Sequence, residues 1–231
     1  MAAAAKPHLK AHPRVAAAID GVRQRRLTFL GRAPLIDLAI AADRLDDEAL
    51  EGAIIEAGAA LGGSTIVIAT AKDPSRKLAV YDTFGLIPPP SDMDDADVHA
   101  RYAVIAAGES KGIGGDTYYG YRKDLLSEVR SSFEDFGLPP DEHNVEFIQG
   151  LYEDTLTVDF PVALAHIDCD WYESVRVCLE RIHPRLAVGG RFVIDDYDAW
   201  SGARTAVDEF LAGRDDYRRE RHARLHLVKL G

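Results

Sequence analysis

Short apolar runs recur along the chain, each followed by a stretch whose apolar residues return every three or four positions. AIIEAG (53–58), KLAVYDTF (77–84), NVEFIQG (144–150), PVALAHID (161–168) and GRFVIDDY (190–197) are largely apolar and end near a polar or acidic residue. Such runs predict short strands covered on both faces, as in a parallel sheet. GGSTIVIATA predicts a helix over 62–71. YRKDLLSEVRSSFEDFG lines up Leu125, Leu126, Val129, Phe133 and Phe136 before Gly137 stops it. WYESVRVCLERIHP puts Trp171, Val175, Cys178, Leu179 and Ile182 on one helical face and ends at Pro184. The closing RHARLHLVKL alternates enough for an edge strand, expected to run antiparallel.

Strand-helix units of this length need right-handed crossovers, so the expected class is α/β, a doubly wound and mainly parallel sheet in one domain over 1–231. Ligands of such sheets bind beyond the carboxyl ends of the strands, near the point where strand order reverses. Glu56, Asp82, Gln149, Asp168 and Asp195 all fall at strand ends on that side. Two segments break the rhythm. Residues 1–50 read as a helical extension that covers a sheet face, an active-site edge or a partner subunit. Residues 85–121, rich in Pro, Gly, acids and Tyr, form a long insertion expected to act as a lid, with surface decoration as the alternative.

Composition narrows the partners. The chain is 47% hydrophobic and 28% charged, with no apolar stretch suited to a membrane span. A net charge of −11 opposes nonspecific binding to nucleic acid or an anionic membrane, so a small molecule is the expected partner. Cys169 and Cys178 form neither a disulfide framework nor a CxxC pair, which fits reduced thiols in a cytoplasmic protein. The Ala-rich, basic N-terminus is broken by Lys6, Pro7, Lys10 and Pro13, unlike a signal peptide; a transit peptide is the less favoured reading. Apolar surface on the N-terminal helices or the insertion would suit a homodimer.

Candidate chemistry lies at the strand ends. EAGAALGGS (56–64) follows a strand and opens a helix, and its glycines either admit a ligand to the helix N-terminus or merely tighten the turn. Its G-x-x-x-G-G spacing departs from the dinucleotide fingerprint, which weakens an NAD-dependent oxidoreductase reading. Asp82, ending the next strand, suits ribose hydroxyls or a plain turn. Asp168, Asp170, Asp195 and Asp196 would repel one another unless protons or a cation compensate, and oxygen ligands favour Mg²⁺. Asp170 has a second reading, as cap of the following helix with Glu173 returning the bond. His166 shares the strand with Asp168 and is read as a core histidine before a metal-supporting one.

EAGAALGGS, YDTFGLIPPPSD, GDTYYGY, AHIDCDWYESV and GGRFVIDDYDAWSGARTAVDEF together resemble the macrocin O-methyltransferase family, over roughly residues 52–212. The resemblance implies a class I methyltransferase fold, S-adenosylmethionine as donor, Mg²⁺, and a hydroxyl acceptor on a sugar or glycoside, such as a natural-product sugar, an oligosaccharide or a polysaccharide precursor. It assigns Glu56, Gly58, Gly62 and Ser64 to the donor loop, Asp82 to the ribose, and Gln149 and Gly150 to the neighbourhood of the adenine. Asp168, Asp195 and Asp196 match the family's metal-binding carboxylates and Asp170 its general base. Tyr118, Tyr119 and Tyr121 offer surfaces for a sugar face. A catechol-like phenol acceptor and a non-catalytic nucleotide-binding module are the competing expectations.

Overall fold

The computed structural model describes residues 2–231. Helices α1 (Ala2–Ala11), α2 (Pro13–Gln24) and α3 (Arg32–Asp47) precede strand β1 (Ala53–Ala57). Helix α4 (Gly63–Ala71) leads to β2 (Leu78–Asp82), after which the insertion carries α5 (Ala96–Ala106). Helix α6 (Leu125–Asp135), β3 (Val145–Gln149), the short α7 (Tyr152–Thr155) and β4 (Val162–Ile167) follow. The chain closes with α8 (Tyr172–Ile182), β5 (Leu186–Ile194), α9 (Ser201–Leu211), β6 (Tyr217–Arg221) and β7 (Leu225–Lys229).

The seven strands form one sheet in the order β3-β2-β1-β4-β5-β7-β6. The five expected apolar strands are all parallel, and β7 runs antiparallel to both β5 and β6. Alternate strand residues feed two cores. Ile54 and Leu164 face a layer that includes α2, α3, α4 and α6, whereas Ile55 and Ala165 face one that includes α8 and α9. Helices α2 and α3 are therefore part of the main core: α2 buries Ile19 and Val22, and α3 buries Leu35, Leu38 and Leu45, each at 1% exposure or less.

One strand expectation needs correcting. RHARLHLVKL supplies β7, which is antiparallel but interior, with Leu225 to Val228 buried; the edge belongs to β6. YRRER gave no strand signal because an edge strand needs little apolar surface, and among its residues only Tyr217 is buried.

The insertion is ordered around a small core of Val98, Ile105, Tyr118 and Trp171. Two bonds pin it beside β4: the Trp171 indole donates to the Pro88 carbonyl at 3.1 Å, and Asp94 accepts the Tyr172 N–H at 2.8 Å. The strand order reverses between β1 and β4, so the crevice beyond their carboxyl ends lies under this insertion.

Candidate active site

Strands β1 and β4 meet tightly at that crevice. Asp168 donates its N–H to the Ala57 carbonyl at 2.9 Å, and Gly58, at φ +94, leaves no room for a side chain, since a Cβ would overlap the Asp168 carbonyl. Asp82 fastens the following loop: Oδ2 accepts the N–H groups of Ala59 (2.7 Å) and Ala60 (2.9 Å), and Oδ1 accepts that of Phe84 (2.6 Å). A carboxylate has about four good acceptor positions, and the Thr83 hydroxyl takes the fourth on Oδ1 at a long 3.4 Å, the bond a ligand hydroxyl would most readily replace. Burial raises its pKa, opposed by those backbone donors.

The glycines divide by role. Gly58 and Ser64 line a cavity of about 270 Å³. Gly62 does not reach it; its φ of +81 starts α4, and a Cβ would come within 2.8 Å of Val129. Gly63 is held against the Leu27 carbonyl, to which it donates at 2.9 Å. Glu56 also lies away from the cavity, fully buried, accepting from His166 Nδ1 at 2.9 Å; Glu56 Oε2 and His166 Nε2 have no hydrogen-bond partner. Gln149 donates to the Thr83 carbonyl at 3.1 Å and Gly150 packs against Thr155. Neither lines this cavity or the smaller one, of about 40 Å³, that the next residues, Leu151 to Glu153, border. The two cavities share Gly58, Asp82, Tyr119, Asp168 and Asp170.

All four aspartates of the expected cluster line the larger cavity. Asp168 is held well above the usual carboxylate range by burial, then by Asp195, Asp196 and Asp170; Asp196 is raised by burial, then by Asp170 and Asp195. Burial likewise lifts Asp170 to about 6, against a hydrogen bond from Trp200. One ligand atom from each of His166, Asp168 and Asp195 lies within 4.8 Å of the others.

The capping reading of Asp170 fails. Asp170 sits at φ +60, outside the extended conformation that an N-cap adopts, and Trp171 occupies the cap position. Asp94 of the insertion takes the bond instead, and Glu173 pairs with Arg176 rather than returning to the cap. With capping supplied from elsewhere, the Asp170 side chain is left facing both cavities.

Several residues at the site carried no sequence signal. Arg224, in the turn between β6 and β7, donates through Nε to Asp195 Oδ1 at 2.6 Å and through Nη2 to Oδ2 at 3.3 Å. Arg101, Trp171 and Trp200 complete walls to which Tyr118 and Tyr119 also contribute. Tyr121 turns away, donating to the Ile105 carbonyl and accepting from Ser110. Burial pushes Tyr118 up to about 12 and holds Tyr119 well above the usual phenol range, so both phenols stay protonated at neutral pH and serve as surfaces or donors rather than bases.

Residues 2–218 match the family described as macrocin-O-methyltransferase (TylF). The chain belongs to the macrocin O-methyltransferase family. It is accordingly a methyltransferase that uses S-adenosylmethionine, as the shared motifs implied. Over 189 residues it is 31% identical to the 8-demethyl-8-(2,3-dimethoxy-alpha-L-rhamnosyl)-tetracenomycin-C 4′-O-methyltransferase of Streptomyces olivaceus, a match covering 79% of this chain and 67% of that enzyme. It is 30% identical over 176 residues to the demethyldecarbamoylnovobiocin O-methyltransferase of Streptomyces niveus, covering 71% of this chain and 60% of that enzyme. The solved structure of the O-methyltransferase NovP superposes with a TM-score of 0.72 at 24% identity, covering 88% of this chain and 82% of NovP, and shares the fold. Among the described residues no helix is long and apolar enough to cross a membrane.

Proposed function

We propose that this methyltransferase transfers the methyl group of S-adenosylmethionine to a hydroxyl of a sugar or glycoside, assisted by Mg²⁺. The observation that carries this reading is the convergence of Asp168, Asp170, Asp195 and Asp196 on one aromatic-walled cavity at the sheet's switch point. The tetracenomycin relative acts at a rhamnosyl 4′-oxygen, as its name states, which favours a sugar acceptor.

The residues fit a hard cation. The like-charged carboxylates call for compensation, of which Arg224 supplies part at Asp195 and protons or a divalent ion can supply the rest, and Asp168, Asp195 and Asp196 offer oxygen ligands. Orphaned His166 Nε2, in the same convergent group, is a further polar atom for that site or a bound water. When bound, such an ion orients acceptor oxygens and lowers the pKa of a hydroxyl attached to it.

The chain's own residues account for the remaining chemistry. Gly58, Ser64, Asp82 and the segment Leu151 to Glu153 form the donor side, and Asp82 Oδ1 accepts a ribose hydroxyl in place of the weakly held Thr83 hydroxyl. Gln149 and Gly150 hold that rim in place rather than line it. Trp171, Trp200, Tyr118 and Tyr119 present flat surfaces to the acceptor. Asp170, bordering both cavities, takes the acceptor's hydroxyl proton as the oxygen–methyl bond forms and the methyl–sulfur bond breaks, releasing S-adenosylhomocysteine.

The test is turnover of a panel of sugar, glycoside and catechol-like acceptors with labelled donor, in EDTA and with Mg²⁺ restored. Sugar methylation that EDTA abolishes and Mg²⁺ recovers is expected, and Asp168→Asn should lose it while still binding S-adenosylhomocysteine. Undiminished turnover after chelation would refute the metal, and methylation confined to phenols would refute the acceptor class. Donor binding without transfer to any acceptor would support a non-catalytic module.

A further inference from the structure

Arg224 lies six residues beyond the end of the family match, yet its guanidinium reaches into the carboxylate cluster. Its grip on Asp195 is uneven: Nε holds Oδ1 at 2.6 Å, while Nη2 is 3.3 Å from Oδ2. One Asp195 oxygen at the same time converges with Asp168 and His166 to within 4.8 Å. The carboxylate is thus held by the guanidinium fork at both oxygens, more tightly at Oδ1, while one of them still converges with the cluster.

The turn that carries Arg224 is fixed from behind. Asp37 of α3 accepts through Oδ2 the N–H groups of Ala223 (2.9 Å) and Arg224 (3.3 Å) and a bond from His226 Nε2 (3.2 Å). At 5% exposure Asp37 is a buried acid, and it does not line the cavity that Arg224 borders. A buried carboxylate is costly unless bonded, and here every bond it accepts goes to the β6–β7 turn and its strand. The sequence is Asp37, turn, Arg224, Asp195.

We propose that Arg224, set in place by Asp37, is the positioning residue that aims the Asp195 carboxylate at the divalent cation. This rests on the metal reading above. The guanidinium charge does not argue against it, because it is matched by Asp195 itself and the remaining carboxylates supply the attraction. Partners that hold a ligand from behind typically contribute 10–100-fold to metal affinity.

The experiment uses Mn²⁺ as the probe, followed by electron paramagnetic resonance, with S-adenosylhomocysteine affinity measured on the same samples to show that each variant is folded. Wild type binds one Mn²⁺ per chain at the cluster. Arg224→Met weakens Mn²⁺ binding by about 10–100-fold at unchanged S-adenosylhomocysteine affinity. Arg224→Lys, which keeps the charge but not the fork, recovers only part of the loss. Asp37→Asn, which touches no ligand, moves Mn²⁺ affinity in the same direction as Arg224→Met. Mn²⁺ binding by Arg224→Met as tight as wild type, or full recovery in Arg224→Lys, would overturn the positioning role and leave the metal reading standing. No Mn²⁺ binding by the wild type at any concentration would instead bring down the metal reading itself.

Discussion

Replacing Asp94 by Ala removes the insertion's polar anchor on α8. Asp94 is 5% exposed; Oδ1 accepts the Tyr172 N–H at 2.8 Å, and Oδ2 accepts from Ser91 N–H at 2.9 Å and Ser91 Oγ at 3.0 Å. Loss of the cap on the Tyr172 N–H costs about 1 kcal/mol, and leaving the Ser91 N–H poorly satisfied adds about 1–2 kcal/mol. The total of about 2–3 kcal/mol corresponds to a fall in Tm of roughly 4–12 °C for a chain of this size. Scanning fluorimetry reads that fall. Limited proteolysis should locate the new cleavage within 85–121, and kcat/KM for the acceptor should drop more than S-adenosylhomocysteine affinity, because Arg101, Tyr118 and Tyr119 reach the cavity from the insertion. Asp94→Asn, which keeps one acceptor oxygen, should lose about half as much. A Tm for Asp94→Ala within about 2 °C of wild type would refute the assignment of the cap and anchor to this residue.

Three further outcomes are expected. Asp170→Asn should leave Tm unchanged or raised, since burial disfavours that carboxylate, while cutting kcat by about 10²–10⁴-fold; a stability loss like that of Asp94→Ala would restore a capping role. Gly58→Ala, with a positive φ and the Asp168 carbonyl in the way, should cost about 3–5 kcal/mol in urea unfolding, whereas Gly62→Ala meets only the Val129 side chain and should cost about 1–2 kcal/mol. Lys72, whose Nζ donates to the His143 carbonyl at 2.6 Å, is pushed by burial from 10.5 down to about 8. The unfolded chain therefore holds more protons between pH 8 and 10.5, so this group makes stability rise with pH across that window; urea midpoints of wild type should climb there relative to Lys72→Met, and parallel curves would contradict the shift.

The parallel strands β1, β2 and β4 were legible because they are buried on both faces, and the polar ends of the parallel strands marked the side on which Asp82, Asp168 and Asp195 gather. What stayed hidden depended on partners distant in sequence. Asp94 caps a helix 78 residues away, and nothing in SDMDDAD distinguishes it from its acidic neighbours. Local chemistry offered Asp170 as a cap beside its reading as general base, until its left-handed backbone removed it from the capping role. Arg224 read as one basic residue among several near a terminal strand, since the pattern of β7 reports burial and says nothing of where its turn points. Glu56 was drawn toward the donor loop by its place in the motif, but β1 pairs it with His166 inside the sheet.

The link from Asp37 to Arg224 spans 187 of the 231 residues. During synthesis the apolar faces of α2 and α3 leave the ribosome before any strand exists to receive them, and the final strand pair arrives last. Completion of the carboxylate cluster is thereby a report that translation has reached the end of the sheet: a nascent chain stalled short of Arg224 carries the donor loop and all four aspartates but lacks the guanidinium that grips one of them.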